Sequence, residues 1–351
     1  QEIDEVSNGI TLAEKLVAKF RESVEIGAQR FYTSVSLGIT SCDGQNVTVD
    51  DLVRQADIAM YASKDAGGDR YTLFNEGMST QVMRHIEIEH DVRDALLQEQ
   101  FKFALQAQID ITTGKLVGFE ALIRWLHPKS GYIMPDEFIP IMENSESMIT
   151  LGYWGIKRAF SILAHLESLG MSGYRIAVNL SASQFLDPNL INFMREQLAQ
   201  SDQGADQIEL ELTERTVVAD IEQTKGIMHQ LKALGFSFSI DDFGTGYSSL
   251  AYLSQLPVDI IKIDRSFIAG MENSSADKQI VKSTVAMVRK LGMKVVAEGV
   301  ETEAQLSTLS TMRCDIAQGY YISKPVLEEE LYPALPSKLN DGVWKRFDLS
   351  F

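Results

Sequence analysis

The stretch Phe236-Ser-Phe-Ser-Ile-Asp-Asp242 decides the fold, because a run typical of a strand ends there in two adjacent carboxylates. Short apolar runs bounded by polar or turn residues are typical of buried strands. Comparable runs end in an acidic, amide or lysine side chain, at Glu120, Asn179, Glu211, Lys262 and Glu298. Segments with helical spacing separate the runs. This alternation of strands and helices predicts a parallel barrel or a doubly wound sheet.

A parallel barrel would bring these polar side chains together. The carboxyl ends of its strands open on one face, where active sites lie. Five of the side chains are carboxylates, namely Glu120, Glu211, Asp241, Asp242 and Glu298. Carboxylates crowded on one face repel one another unless cations lie between them, so the pattern predicts bound metal ions. For any one of them alone, a helix cap or a solvated charge is the alternative interpretation.

The chain of 351 residues is long enough for two domains, one of barrel size. We predict a small α/β segment over 1–75, a connecting helix over 76–99, a barrel over 100–337 and a tail over 338–351. In the first segment the patterns predict strands over Phe31–Thr40 and Tyr71–Phe74, and helices over Leu12–Phe20 and Asp51–Lys64.

The barrel is predicted to begin with a hairpin. Phe101–Ile109 is typical of a strand, and the tight turn Thr112-Thr-Gly-Lys115 leads back into a second strand over Leu116–Ile123. Two strands joined by a tight turn run antiparallel. The expected fold class is therefore α/β, a TIM-like (β/α)8 barrel with one antiparallel strand beside a small partial α/β segment.

Composition limits the function classes. The 32 basic and 49 acidic residues give a net charge of −17, which argues against a nucleic-acid partner because such binding needs a basic face. A small anionic ligand stays possible, since bound divalent ions invert the local field. No apolar run approaches about 18 residues, so we expect no membrane contact and a cytoplasmic location. The missing initiator Met suggests a fragment, and a membrane tether in the intact protein stays open.

Seven short motifs in order resemble the EAL-domain cyclic di-GMP phosphodiesterases. They are Glu120-Ala-Leu122, Asn179-Leu-Ser181, Glu211-Leu-Thr-Glu214, Asp241-Asp-Phe-Gly244, Lys262-Ile-Asp264, Glu298-Gly-Val-Glu301 and Gln318-Gly-Tyr320. The resemblance covers about two thirds of the chain and implies hydrolysis of cyclic di-GMP to linear pGpG. Two alternatives stay open: a catalytically silent sensor that binds cyclic di-GMP, and a barrel hydrolase for another phosphodiester.

The resemblance also implies a site with two metal ions, Mg²⁺ or Mn²⁺, which suit oxygen ligands. It assigns one ion to Glu120, Asn179, Glu211 and Asp241. It assigns the other ion to Asp241, Asp242 and Glu298. Lys262 would stand beside the attacking water, so the expected catalytic residues are Lys262, Glu298 and Glu120.

Substrate contacts are implied for Gln106, Arg124, Asp264, Glu301 and Gln318. Of these, Glu301 and Gln318 would also orient groups around the metals. For Arg124, a salt bridge at the rim is the alternative to a phosphate contact. After Gln106 the chain has Ala107 where the family usually has proline. Glu214 would anchor the loop Phe243–Ser249, and the family likeness suggests a homodimer through the barrel.

Residues 1–75 resemble the C-terminal half of a GGDEF domain, the diguanylate cyclase fold. The evidence is Ser36-Leu-Gly-Ile-Thr40 and Ala56-Asp-Ile-Ala-Met-Tyr61, with Lys64. Gly67-Gly-Asp-Arg-Tyr71 imitates the cyclase signature but follows the late helix, at the wrong place. The true signature hairpin is missing, so we expect no cyclase activity and a regulatory or structural role.

Overall fold

The computed structural model of the chain describes residues 6–26, 29–31, 33–41, 47–143, 145–244 and 253–345. The chain forms two compact units, Gln1–Val92 and Arg93–Phe351. The helix predicted over 76–99 is present as Glu76–Leu97 and runs across this division. Within the described residues, no helix is both long and apolar enough to cross a membrane.

The first unit is a small α/β structure. Its elements are α1 (Val6–Phe20), β1 (Val24–Ile26), β2 (Gln29–Phe31), β3 (Ser36–Ile39), α2 (Val49–Asp65), β4 (Arg70–Leu73) and the start of α3 (Glu76–Leu97). The single strand predicted over Phe31–Thr40 is wrong, because β2 and β3 have different partners. β2 forms an antiparallel hairpin with β1, whereas β3 pairs in parallel with β4. Thr48 and Asp51 form a capping box that begins α2.

Eight strands of the second unit close a barrel. In the order of the ring they are β5 (Phe101–Asp110), β6 (Leu116–His127), β8 (Arg175–Asn179), β9 (Ile208–Thr213), β10 (Ser237–Phe243), β11 (Ile260–Ile263), β12 (Lys294–Ala297) and β13 (Ile316–Ala317). Strand β5 is antiparallel to β6 and β13, and the other neighbours pair in parallel. The predicted barrel with one antiparallel strand is confirmed.

Two short strands extend the barrel sheet: β7 (Gly131–Ile133) pairs with β6, and β14 (Val326–Leu327) pairs with β5. The strands β15 (Leu339–Asn340) and β16 (Val343–Trp344) form a separate hairpin. The hairpin gives the predicted tail a structure of its own. In it the Trp344 side chain is buried and its indole N–H donates to the carbonyl of Ile322 at 3.3 Å.

Helices follow the strands around the barrel. They are α4 (Pro135–Met142), α5 (Glu146–Ser168), α6 (Ala182–Phe185), α7 (Leu190–Gln200), α8 (Glu214–Ala219), α9 (Ile221–Ala233), α10 (Arg265–Gly270), α11 (Ser275–Lys290), α12 (Glu303–Thr311) and α13 (Glu328–Lys338). The sequence patterns did not predict α4 and α5. Both belong to the long connection between β6 and β8.

Strand β9 shows how the fold positions the functional side chains. Successive side chains of a strand point to opposite faces. Ile208, Leu210 and Leu212 are fully buried in the main hydrophobic core. Glu209 and Glu211 therefore point the other way, into the barrel interior. A separate apolar cluster of Ile260, Val296 and Ile316 fills part of that interior.

Candidate functional site

A fully buried lysine lies at the centre of the acidic side chains. Lys262 Nζ is 2.6 Å from Glu298 Oε1 and 2.8 Å from Glu211 Oε2. It also lies 3.4 Å from Asp241 Oδ2 and 3.5 Å from Glu120 Oε1. Four strand ends therefore converge on one ammonium group. The arrangement is possible because parallel neighbours in a closed ring end at the same face.

Amide side chains surround Glu120. Asn179 donates to Glu120 Oε1 at 3.0 Å, and Gln318 donates to Glu120 Oε2. Gln318 also donates to Gln106 Oε1 at 3.0 Å and accepts from Gln108 at 2.9 Å. Both oxygens of Glu120 are thus fixed by neutral donors. The antiparallel β5 supplies Gln106 and Gln108 to this network.

Burial and charge set the protonation of the cluster. Burial would lower the pKa of Lys262, but the charges of Asp241, Glu120, Glu211 and Glu298 outweigh it and raise the pKa well above its usual value. Burial would raise the pKa of Glu120, but Lys262 and the amide donors hold that pKa below its ordinary value. Burial and the charge of Glu120 raise the pKa of Glu211 well above normal. Burial raises the pKa of Glu298 to about 8, although Lys262 opposes the shift.

A β-bulge brings two consecutive aspartates to one side. In a regular strand Asp241 and Asp242 would face opposite ways. The pairing of β10 with β11 shifts register between Ile240 and Phe243, and Asp242 adopts a φ of 55°. Both aspartates consequently line the same cavity. Burial and the charge of Asp241 raise the pKa of Asp242.

Glu214 contacts the start of the loop after β10. It is buried, and its Oε2 accepts the backbone N–H of Gly244 at 3.2 Å. The rest of the predicted loop Phe243–Ser249, from residue 245 onwards, lies outside the described residues. This hydrogen bond holds the backbone in place two residues after Asp242, where the loop begins.

Three of the predicted substrate residues have no hydrogen bond or ion pair, among the described residues, with Lys262 or its four carboxylates. Arg124 is half-buried, and its guanidinium donates to the Ile123 carbonyl at 2.7 Å. Among the described residues Arg124 has no ion pair, so the alternative of a rim salt bridge finds no support. Asp264 caps α10 by accepting the Ser266 N–H. The Glu301 side chain is exposed.

A cavity of about 450 Å³ lies beside the carboxylates. Asn179, Asp241 and Asp242 line its polar side, and α4 and α5 supply much of its apolar wall. Gln184 also lines it, fully buried, with both amide atoms unpartnered among the described residues. The sequence patterns missed Gln184. No local pattern marks it: its contact with Gly152, where a Cβ would lie 1.9 Å from Gln184 Oε1, joins residues of two different helices and is visible only in the structure.

The donor atoms fit Mg²⁺ or Mn²⁺ in their chemistry. The candidates are carboxylate oxygens and one amide oxygen, which these ions prefer. Among the described residues, no group of three or more His, Cys, Asp or Glu side chains is already arranged around an ion position. The physical reason is Lys262, whose ammonium lies among the carboxylates. Glu211 Oε1 is buried and has no hydrogen-bond partner among the described residues.

The fold and the polar face define a (β/α)8-barrel protein with its site at the carboxyl ends of the strands. The chain belongs to the EAL-domain family, whose model matches residues 89–325. The model of the diguanylate cyclase GGDEF domain matches residues 2–70. The resemblance read from the motifs is confirmed for both parts.

Named relatives match most of the chain. A bifunctional diguanylate cyclase/cyclic di-GMP phosphodiesterase, MucR of Pseudomonas aeruginosa, is 38% identical over 94% of this chain and 48% of that protein. The cyclic di-GMP phosphodiesterase NbdA of the same organism is 36% identical over 90% of this chain and 40% of that protein. The chain thus spans about half the length of the curated relatives it matches.

Solved structures agree on the barrel. The MucR phosphodiesterase in complex with c-di-GMP is 40% identical, with a TM-score of 0.68 over 70% of this chain and 99% of that one. An EAL-domain protein from Listeria monocytogenes EGD-e is 30% identical, with a TM-score of 0.61 over 71% of this chain and 98% of that one.

Proposed function

We propose that this protein is a metal-dependent phosphodiesterase that opens one phosphodiester bond of cyclic di-GMP and yields linear pGpG. The observation that carries the proposal is the convergence of four carboxylates on Lys262, with amide donors on both oxygens of Glu120. The similarity to MucR and NbdA supports cyclic di-GMP as the substrate. A silent sensor would need no such acidic centre to bind an anion, because carboxylates repel phosphate.

Two divalent ions would be held by Glu120, Asn179, Glu211 and Asp241, and by Asp241, Asp242 and Glu298. When bound, such ions lower the pKa of a water and stabilise the charge that develops on the phosphate. The amide network of Gln318, Gln106 and Gln108 keeps Glu120 in one orientation. This chain therefore supplies oriented oxygen ligands before any substrate arrives.

Lys262 has a different task from the ligands. Its ammonium stays charged and, while fully buried, offsets the negative charge of the carboxylates. A buried, permanently charged donor can hold a water or a phosphate oxygen in place. We assign to Lys262 Nζ the orientation of the attacking water, and Glu298, at 2.6 Å, holds that ammonium in position.

Substrate recognition would use the surroundings of the acidic centre. The guanidinium of Arg124, without an ion pair among the described residues, can bind a phosphate of the ligand. The cavity of about 450 Å³ has room for one guanine base, and its apolar wall suits a purine face. Gln184 is the amide that could meet the edge of that base.

The test is product analysis with purified protein. Cyclic di-GMP is incubated with Mg²⁺ or Mn²⁺, and chromatography follows the appearance of pGpG. We expect turnover that stops in excess chelator and resumes when the metal is restored. Binding of cyclic di-GMP without any product would establish the silent sensor instead. Faster cleavage of a linear dinucleotide than of cyclic di-GMP would indicate another phosphodiester substrate.

A further inference from the structure

Three polar atoms inside the barrel have no hydrogen-bond partner among the described residues. They are Glu209 Oε1, Glu211 Oε1 and Ser239 Oγ. The three residues are at most 1% exposed. A buried polar atom without a hydrogen bond is costly, and native structures usually satisfy such atoms with protein groups or with bound water. These three atoms therefore call for an explanation.

The sheet register places the three side chains next to one another. Ser239 of β10 lies directly opposite Glu211 of β9. Glu209 lies two residues before Glu211, so both side chains point to the interior.

Each of the two glutamates is held by a cation through one oxygen only. Glu211 Oε2 lies 2.8 Å from Lys262 Nζ, nearer the carboxyl ends of the strands. Glu209 Oε2 lies 3.5 Å from Arg175 Nη1, nearer their amino ends. The other oxygen of each carboxylate, Oε1, has no hydrogen-bond partner among the described residues, and neither has the Ser239 hydroxyl. This is the donor and acceptor set that a buried water needs, since buried waters make about three hydrogen bonds.

We propose that the barrel interior binds an ordered water between Glu209, Ser239 and Glu211, and that Ser239 and Glu209 act through it as positioning residues for Glu211. The water donates to the two free carboxylate oxygens and accepts from the Ser239 hydroxyl. Glu211 is then held from both sides, by Lys262 on one oxygen and by the water on the other. The inference rests on the proposed metal site, in which Glu211 is a ligand.

The role of such a water is to fix the rotation of the Glu211 carboxylate. A ligand that is already oriented loses less freedom when the ion arrives, and removing an outer partner typically weakens metal binding by about ten- to a hundredfold. Loss of the water should thus raise the metal concentration that the protein needs. It should leave turnover at saturating metal unchanged, because Ser239 touches neither substrate nor metal.

The experiment compares Ser239→Ala with Ser237→Ala. Ser237 lies on the same face of the same strand, but its hydroxyl already donates to the Ile208 carbonyl at 3.2 Å. Mn²⁺ binding is measured by calorimetry without substrate, so the result does not depend on whether the protein hydrolyses cyclic di-GMP. We expect affinity about tenfold weaker in Ser239→Ala and unchanged in Ser237→Ala. Equal affinities in the two variants would overturn the proposal.

A crystal structure of the unmodified protein gives a second, independent test. Density for a water within hydrogen-bond distance of Glu209, Ser239 and Glu211 is the expected result. Direct contact between the two carboxyl groups, with no density between them, would show that a shared proton replaces the water. This measurement stands even if Ser239→Ala does not fold. The protein could fail to hydrolyse cyclic di-GMP and still show the water and the weaker Mn²⁺ binding of Ser239→Ala. The two tests therefore distinguish this inference from the proposed function.

Discussion

The two units of this chain both contain glycine- and acid-rich motifs, but among the described residues only the motifs of the second unit come together in a cluster. In the barrel, carboxylates from four strands surround Lys262. In the first unit, the motif Gly67-Gly-Asp-Arg-Tyr71 lies in the turn after α2, with φ angles of 96° and 68° at the glycines. Its aspartate, Asp69, pairs with Arg21 at 2.6 Å near the surface. A motif therefore indicates chemistry only where the topology gathers its side chains.

The energetics of the two regions differ for the same reason. Exposed ion pairs contribute about 0–1 kcal/mol because water competes for both partners. Buried charges depend on each other, and removing one partner costs about 3–5 kcal/mol. Lys262 is fully buried, whereas the Arg21 side chain is 61% exposed. Matched substitutions in the two units should consequently have very different effects.

The largest contrast should appear in hydrolysis. Glu120→Ala or Asp241→Ala removes an oxygen that the proposed ions need, so we expect turnover of cyclic di-GMP to fall by about three orders of magnitude. Asp69→Ala removes an acidic side chain of the first unit and should leave turnover unchanged. Initial rates with saturating Mg²⁺ measure both. Wild-type turnover in a folded Glu120→Ala protein would refute the two-metal assignment.

The next contrast concerns stability. Lys262→Met leaves four carboxylates, two of them buried and two partly buried, without their cation. We expect the free energy of unfolding to fall by about 3–5 kcal/mol. Arg21→Met should change it by less than about 1 kcal/mol. Urea unfolding at neutral pH in the presence of chelator measures both values. Similar losses in the two variants would show that the acidic cluster does not depend on its lysine.

A smaller effect is expected at the phosphate contact. Arg124→Ala removes one charged donor, so KM for cyclic di-GMP should rise about tenfold or more, while the affinity for metal stays the same. Lys102, directly opposite Arg124 in the sheet and paired with Glu329 at 3.2 Å, is the matched control. Lys102→Ala should leave KM unchanged. A parallel loss of metal affinity in Arg124→Ala would place this residue with the metal ligands instead.

The anchor of the loop should have a modest effect. Glu214→Ala removes the acceptor of the Gly244 N–H, and we expect kcat to fall a few fold at saturating metal because the chain after Asp242 loses its fixed point. Glu214→Gln keeps an acceptor and should restore most of the activity.

We also expect a homodimer through the barrel, which light scattering would detect. Unchanged kinetics in Glu214→Ala together with a monomeric mass would leave the loop as a plain connection.

We expect the first unit to have no diguanylate cyclase activity. GTP should yield no cyclic di-GMP, because the sequence lacks the signature hairpin and the metal-binding strand of the cyclase. Chromatography after incubation with GTP and Mg²⁺ measures this. Formation of cyclic di-GMP would contradict the interpretation of residues 1–75 and remove the contrast between the two units.

Much of the barrel could be predicted from local patterns. The strands β8, β9 and β12, which carry Asn179 and Glu211 or directly precede Glu298, were each visible as short apolar runs before a polar residue. The hairpin at Thr112–Lys115 indicated the antiparallel strand. The β1–β2 hairpin and the helices α4 and α5 were missed. Their existence depends on pairing partners and packing surfaces that lie outside the short windows in which periodicity is measured.

The sequence by itself determined which residues stand at the strand ends, because the two-residue period of a strand is a local property. The tertiary structure decided what those residues meet. Closure of the ring placed Lys262 among four carboxylates, the bulge at Asp242 turned two consecutive aspartates to one cavity, and the register of β9 and β10 set Ser239 opposite Glu211. Each of these depends on contacts between distant strands, which a one-dimensional pattern does not contain.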